Sequence, residues 1–236
     1  MKVHLFVTCL VDGLFPEVGV ATTRVLERAG CEVSFERRQT CCGQPAFNVG
    51  LMEEAGKLAR KFVDEYRPTK GPIVVPSGSC ADMIIHHMPG LLPDDLEVRA
   101  VTSRVIELTS FLVDHLGNPE LGASCPARAA YHHSCHGYRN LGLSRQPAAL
   151  LAQVEGLDVA EMEGATECCG FGGLFSIEFP EMSAAILGLK LDQIDAARPD
   201  FVIGGDVSCL LHIEGGLKKR GSQVEVRHIS QILASE

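Results

Sequence analysis

The stretch ECCGFGG at residues 167–173 joins two adjacent cysteines to a run that contains three glycines, and a similar stretch, TCCGQPA, lies at residues 40–46. A single cysteine lies on either side of each pair, so the first copy reads C-x31-CC-x37-C and the second reads C-x32-CC-x39-C. The repeated cysteines are Cys9, Cys41, Cys42 and Cys80 in the first copy, and Cys135, Cys168, Cys169 and Cys209 in the second. Two such spacings indicate an internal duplication.

The segments that follow the last cysteine of each copy also repeat. VIELTSFL at residues 105–112 resembles VRHISQIL at residues 226–233. Between the copies lies GNPELGASCPA, residues 117–127, whose Pro and Gly residues are typical of a connection. We therefore predict two domains, at residues 1–118 and 128–236.

Short apolar runs alternate with amphipathic stretches inside each copy. The predicted strands are KVHLFVT (2–8), CEVSF (31–35) and PIVVP (72–76) in the first copy, and RAAYHH (128–133), DVAEM (158–162) and DFVIGG (200–205) in the second. A helix is predicted over residues 180–197, with Pro180 at its start. Because strands that alternate with helices form parallel sheets covered on both faces, we predict an α/β fold of two tandem Rossmann-like domains related by internal duplication.

Composition and charge exclude several classes of protein. The 236 residues are 46% hydrophobic and 22% charged, and the net charge of −9 is distributed along the chain. No segment combines clustered Lys and Arg with aromatic residues, so we expect no nucleic-acid partner. The N-terminal apolar segment lacks the features of a signal peptide, and no apolar run approaches the roughly 18 to 20 residues that span a bilayer. We expect a cytoplasmic protein without a membrane span, in which cysteines indicate metal binding or redox chemistry before disulfides.

The eight repeated cysteines follow predicted strands or lie in the loops after them. Because ligand sites of open α/β sheets lie at the carboxyl ends of the strands, we expect the four thiols of each copy to converge there. Adjacent Cα atoms are about 3.8 Å apart, which is too close for an ordinary disulfide within each pair. Zinc usually takes cysteines separated by two to four residues, whereas adjacent thiolates suit a centre with several metal atoms. Glycines after the pair allow backbone N–H groups to approach cluster sulfurs, so the pattern favours iron–sulfur and leaves zinc as the alternative.

Together, VTCLVD, CCGQPA, SGSC, SCH and CCGFGG resemble the duplicated CCG cysteine-rich domain found in the cysteine-rich subunit of heterodisulfide reductase, in the iron–sulfur subunit of glycolate oxidase and in the lactate-utilisation protein A family. The resemblance is greatest to the last of these and covers essentially the whole chain. It implies an iron–sulfur subunit of an oxidoreductase complex that oxidises L-lactate to pyruvate. It also implies two partners, a ferredoxin-like iron–sulfur protein and a third lactate-utilisation subunit, with a small 2-hydroxy acid as substrate.

Each copy lacks the fifth cysteine of the full CCG pattern. Met83 and His212 lie where the closing CxxC would place it. The resemblance therefore implies the eight repeated cysteines as ligands, and it implies one or two ordinary [4Fe-4S] clusters rather than the non-cubane cluster of heterodisulfide reductase. His212 is a further candidate ligand, since imidazole is an accepted cluster ligand; a structural role is the alternative. Met83 is expected to pack in the core.

Other functions stay open at this point. The chain has no ferredoxin-type C-x2-C-x2-C-x3-C run and no G-x-G-x-x-G after a strand, so it is expected not to act alone. One alternative is a subunit of a thiol-disulfide reductase of the heterodisulfide type, or of a glycolate or other 2-hydroxy acid oxidase. Another is a zinc-stabilised binding protein without redox chemistry.

Several cysteines and histidines outside the repeat have simpler interpretations. Cys31 and Cys125 do not repeat and are expected to be ordinary buried or surface thiols. His136 directly follows Cys135 and is a candidate hydrogen-bond donor or proton carrier, with packing as the equal alternative. His132 and His133 lie on a predicted strand, so one is expected to point inward and the other outward.

Overall fold

The computed structural model describes all 236 residues and contains two four-stranded parallel sheets. The first consists of β1 (Lys2–Leu5), β2 (Glu32–Phe35), β3 (Ile73–Val75) and β4 (Val105–Glu107), and the second of β5 (Ser124–His132), β6 (Glu155–Ala160), β7 (Phe201–Gly204) and β8 (Glu225–His228). The spatial orders are β2-β1-β3-β4 and β6-β5-β7-β8. The same order in both halves confirms the predicted tandem Rossmann-like fold and the duplication.

Helices connect the strands of the first half, as parallel pairing requires. They are α1 (Cys9–Leu14), α2 (Pro16–Arg28), α3 (Gln44–Asn48), α4 (Met52–Tyr66), α5 (Gly78–Asp82), α6 (Met88–Leu91), α7 (Leu96–Thr102) and α8 (Leu108–Ser110). Single π-helical turns follow α5 at Met83–His87 and α8 at Phe111–His115. Thus α1 and α5, which carry cysteines, begin within a few residues of the ends of β1 and β3.

The second half repeats this plan with fewer and longer helices. They are α9 (Arg145–Leu151), α10 (Phe175–Glu178), α11 (Pro180–Ala197), α12 (Val207–Lys219) and α13 (Ile229–Leu233), with a π-helical turn at His136–Asn140 after β5. The helix α11 covers the range predicted from the sequence. No helix of the chain is both long enough and apolar enough to cross a lipid bilayer.

All six predicted strands are present, although their ends differ from the prediction. The first was predicted over residues 2–8, but β1 ends at Leu5, and the residues beyond it turn toward Cys9. The strands β4 and β8 were not predicted as strands; they open the two segments recognised as a repeat, and a short helix follows each directly. The connection predicted at residues 117–127 contributes its last four residues to β5. The division into residues 1–118 and 128–236 stays a prediction.

One hydrophobic core is built by both halves. Its 21 buried residues include Leu5 and Val74 from the first sheet and Phe201 and Ile203 from the second. The helix α2 packs against α13, and Ser230 on α13 donates to the carbonyl of Val18 on α2 at 3.4 Å. Because this core is continuous, the carboxyl ends of the two sheets are held in a fixed relation to each other.

Candidate metal centres

The four cysteines of the first copy converge where the sequence analysis placed them. Cys9 begins α1, Cys41 and Cys42 lie in the loop between β2 and α3, and Cys80 lies in α5. The sulfur of Cys9 is 3.6 Å from that of Cys41, and the sulfur of Cys42 is 3.4 Å from that of Cys80. These four residues are called the first cysteine set below.

The second cysteine set forms in the same way from Cys135, Cys168, Cys169 and Cys209. Cys135 directly precedes a π-helical turn, the adjacent pair lies in the loop between β6 and α10, and Cys209 lies in the first turn of α12. The sulfurs of Cys169 and Cys209 lie within 4.8 Å of each other and of a ring nitrogen of His132. All eight residues predicted as ligands are thus divided between two compact sets.

A left-handed glycine follows the cysteine pair in each set. Gly43 has a φ of 90° and Gly170 a φ of 88°, a conformation that residues with a Cβ rarely adopt. The N–H of Gly43 donates to the sulfur of Cys41 at 3.4 Å, and the N–H of Gly170 donates to the sulfur of Cys168 at 3.3 Å. Both glycines therefore place a hydrogen-bond donor against a cysteine sulfur, while the predicted approach of N–H groups to cluster sulfurs stays a prediction.

Proton sharing inside each set favours one thiolate. Hydrogen bonds from Cys42 and Cys9, together with the Gly43 N–H, lower the pKa of Cys41. In the second set, hydrogen bonds from Cys135 and Cys169 and the Gly170 N–H lower the pKa of Cys168. Since the thiolate is the form that binds metals, the first cysteine of each adjacent pair is the first to become available as a ligand.

The two cysteine sets face one shared cavity of about 340 Å³. All eight cysteines line it, together with Asp206 and His136 and with the glycine turn and short helix at residues 171–177. The cysteine spacings predict two separate clusters of thiols, but they do not predict that both clusters line one cavity. A cavity of this size is large enough for a small molecule between the two sets.

Asp206 joins the two halves between the cysteine sets. It is only 2% exposed and caps α12, accepting from the Ser208 N–H at 3.1 Å and the Ser208 hydroxyl at 2.6 Å. Its other carboxylate oxygen accepts from the Ser77 hydroxyl at 3.0 Å and the Ser79 N–H at 2.9 Å, at the start of α5. One carboxylate thus ties together the helices that carry Cys80 and Cys209.

Asp82 forms a second polar link across the halves. Its side chain is fully buried and accepts from His86 at 2.7 Å, from His136 at 2.6 Å and from the Asn140 amide at 2.8 Å. Burial alone would raise the pKa of Asp82, but these bonds hold it well below its ordinary value, and the pKa of His136 is correspondingly raised. At the wall of the cavity, His136 therefore makes a hydrogen bond, one of the roles predicted for it, and its partner is Asp82.

Glu107, at the end of β4, gives the stability of the fold a dependence on pH. Burial raises its pKa from 4.5 to about 7, although bonds from Thr109 and Ser110 oppose the shift. The folded chain therefore holds this proton at pH values where the unfolded chain has released it. Stability contributed by the protonated group is present below about pH 4.5 and is lost as the pH rises to about 7.

We expect Glu107→Gln to remove this part of the pH dependence. Relative to wild type, the variant should gain up to about 3 kcal/mol of unfolding free energy between pH 4.5 and pH 8. Urea denaturation across this range measures the difference. The exposed Glu155→Gln is the matched control and should leave the slope unchanged; an equal slope in Glu107→Gln and wild type would show that Glu107 is not the group responsible.

The remaining cysteines and histidines named from the sequence lie as follows. Met83 is fully buried in the core beside α5, as expected, and His212 on α12 lies with its Nε2 3.2 Å from the Ser183 hydroxyl. Cys31 is buried and Cys125 half-buried against the shared core. His212 as a ligand stays a prediction.

Of the neighbouring histidines at the end of β5, His132 is the last residue of the strand and is buried, whereas His133 directly follows the strand, is half-buried and contacts Tyr131 and Tyr138 edge-on. The prediction that one of the two histidines points inward is met by His132, which is not among the residues predicted as ligands. The sequence feature that could have identified His132 is its position three residues before Cys135.

Comparison with known proteins identifies the domain type. The model of the CCG cysteine-rich domain matches twice, at residues 3–85 and 129–214. Each match begins in the first strand of a half and extends past that half's last cysteine. The matches therefore correspond to the two structural repeats.

Three relatives align with this chain over essentially its whole length. Lactate utilization protein A of Exiguobacterium sp. is 44% identical over 98% of this chain and 96% of its own length. The protein of the same name from Shouchella clausii is 42% identical over the full length of both, and that from Geobacillus sp. is 40% identical over the full length of both.

A solved structure shares the fold. A hypothetical protein from Helicobacter pylori superposes with a TM-score of 0.64 over 98% of this chain, at 13% identity. The chain spans about half the length of that protein, 48%. At this identity the likeness concerns the fold alone.

Proposed function

Because the chain belongs to the lactate utilization protein A family, we propose that it is the iron–sulfur subunit of a cytoplasmic oxidoreductase complex that oxidises L-lactate to pyruvate. The observation that carries this proposal is the opposition of two four-cysteine sets across one cavity. Lactate as the substrate is inferred from the name of the relatives, and redox chemistry is inferred from the two cysteine sets.

The donor groups fit one or two [4Fe-4S] clusters. Each set offers four thiols, which is the number that an ordinary cluster takes. The N–H groups of Gly43 and Gly170 already donate to cysteine sulfur, and such bonds stabilise negative charge on sulfur. When bound, a cluster would supply one-electron transfer. Cys9, Cys41, Cys42 and Cys80 would hold one, and Cys135, Cys168, Cys169 and Cys209 the other.

The proposed reaction requires an electron acceptor outside this chain. Conversion of lactate to pyruvate releases two electrons and two protons, with loss of the hydroxyl and C2 hydrogens. We propose that the electrons leave to a ferredoxin-like iron–sulfur partner, and that a third lactate-utilisation subunit completes the complex. The cavity wall from Leu174 to Ile177 includes the exposed side chain of Ile177, so apolar surface is available at this edge for contact with a partner.

The test is lactate turnover by the complex purified anaerobically with its partners. Replacing both cysteines of a pair with serine, in Cys41→Ser/Cys42→Ser or in Cys168→Ser/Cys169→Ser, should lower turnover by at least about 100-fold and remove that set's iron and sulfide. Cys31→Ser/Cys125→Ser is the matched control, because it removes two thiols that lie outside both sets, and it should retain iron and turnover.

Three results would contradict the proposal. A colourless protein that contains only zinc would support a zinc-stabilised binding protein, and reduction of a small disulfide without lactate turnover would support a thiol-disulfide reductase. Turnover unchanged in both double variants would remove the clusters from the reaction.

A further inference from the structure

His132 has the surroundings of a ligand rather than of a packing residue. It ends β5, is 1% exposed, and one of its ring nitrogens lies within 4.8 Å of the sulfurs of both Cys169 and Cys209. Those three ligand atoms lie within 4.8 Å of one another, which makes them candidate donors to one metal ion. A histidine and two cysteines therefore surround one point inside the second set.

Neither ring nitrogen of His132 has a hydrogen-bond partner. A neutral imidazole has one N–H donor and one acceptor, and leaving such groups buried without partners costs about 1 to 3 kcal/mol each. Buried polar groups in folded proteins are usually satisfied, so this orphan side chain points to a missing partner. The cysteine sulfurs are the donor atoms close to it, and a bound metal between them would use the free nitrogen.

The first half has no counterpart to this imidazole. Cys9 and Cys135 are equivalent in the repeat, so the residue three positions before each is Phe6 and His132. The sheet register agrees, because His4 pairs with Ile73 as Ala130 pairs with Val202, two positions before these residues. Phe6 packs edge-on against Phe62 and Tyr66, with ring centroids 5.3 Å and 6.2 Å apart. One copy thus has an aromatic hydrocarbon where the other has a nitrogen donor.

We propose that His132 is an imidazole ligand of the second centre, which makes that centre a mixed cysteine–histidine site while the first centre is held by sulfur alone. The inference rests on the metal-binding part of the proposed function and not on lactate as the substrate. Where this imidazole takes the place of one of the four thiolates of the second set, the centre carries one negative charge less and its reduction potential rises. The two centres would therefore differ in reduction potential, and electrons would occupy the second centre preferentially.

Direct detection of nitrogen bound to a metal in the second set tests this proposal. The full chain with Cys41→Ser/Cys42→Ser, which disables the first set, is loaded anaerobically with Co²⁺ alone and measured by pulsed EPR. We expect a hyperfine coupling from directly bound nitrogen that changes when the histidines are labelled with ¹⁵N. The further substitution His132→Phe, which copies the residue of the first half, should abolish the coupling and weaken Co²⁺ binding about 10- to 100-fold.

Two matched controls separate His132 from its neighbours. His133→Phe changes the residue directly after the strand, and His212→Phe changes the other histidine beside the second set; the nitrogen coupling from His132 should remain in both. If His132→Phe does not fold, ¹⁵N-histidine labelling of a chain that carries both control substitutions still tests His132. The proposal is overturned if no nitrogen is bound, if the coupling survives His132→Phe, or if the second set binds no Co²⁺. None of these measurements involves lactate.

Discussion

Replacing Asp206 with alanine is expected to lower the free energy of unfolding by about 3 to 5 kcal/mol. The carboxylate is buried and accepts four hydrogen bonds, two from Ser208 and two from the start of α5. Hydrogen bonds to charged groups contribute about 1.5 to 3 kcal/mol each, but removing the buried carboxylate also removes the cost of its desolvation, so the net loss is smaller than the sum of the four bonds. Urea denaturation of the full chain measures the loss.

The size of the effect should depend on the contact between the halves. Asp95→Ala is the matched control: Asp95 also caps a helix, accepting from the Glu97 N–H at 2.8 Å, but it lies within the first half. Its loss should cost only about 1 kcal/mol. Asp206→Asn keeps one oxygen acceptor and should fall between the two. Equal losses in Asp206→Ala and Asp95→Ala would show that the bonds to Ser77 and Ser79 add nothing.

The substitution Gly78→Val is expected to separate the two halves beside the cysteine sets, at a cost of at least about 3 kcal/mol. A Cβ at this position would lie 3.0 Å from the Cα of Gly137 and 3.0 Å from the Ser134 hydroxyl, both of which belong to the second half. Backbone cannot move away as a flexible side chain can, and overpacking typically costs about 1 to 3 kcal/mol for small additions. The two γ-methyl groups of valine add to this. Urea denaturation measures the loss.

Gly215 supplies the control for this substitution. It lies inside α12, and a Cβ added there meets nothing within 4 Å. Gly215→Ala should therefore stabilise the chain by up to about 1 kcal/mol, because alanine is the better helix former. Gly78→Ala should destabilise by about 1 to 3 kcal/mol. A stabilising effect at Gly78 would mean that the halves are packed less closely there than the structure shows.

The features that recur in the sequence are the ones that could be predicted from it. The cysteine spacings revealed the duplication, and the apolar runs before Cys9 and Cys135 indicated the strands that bring each set to a sheet edge. The strands β4 and β8 were not predicted because each has only three or four residues and runs directly into a helix. Neither the two-residue period of a strand nor the 3.6-residue period of a helix is visible over so short a segment.

The relation between the halves could not be predicted, because it depends on contacts between residues far apart in the chain. Asp82 meets His136, and Ser77 meets Asp206 from 129 positions away. The role inferred for His132 likewise depends on the positions of Cys169 and Cys209, which belong to another loop and another helix. Alternation along β5 predicts only that one of two neighbouring histidines points inward.

The hydrophobic core that both sheets build has a consequence for the history of the chain. A newly duplicated domain can ordinarily be deleted or recombined, because each copy folds alone. Here Leu5 and Val74 are buried in the same cluster as Phe201 and Ile203, so a gene fragment that encodes one copy would expose that apolar surface to water. The two copies can therefore diverge around their cysteine sets, but they must be inherited and expressed together.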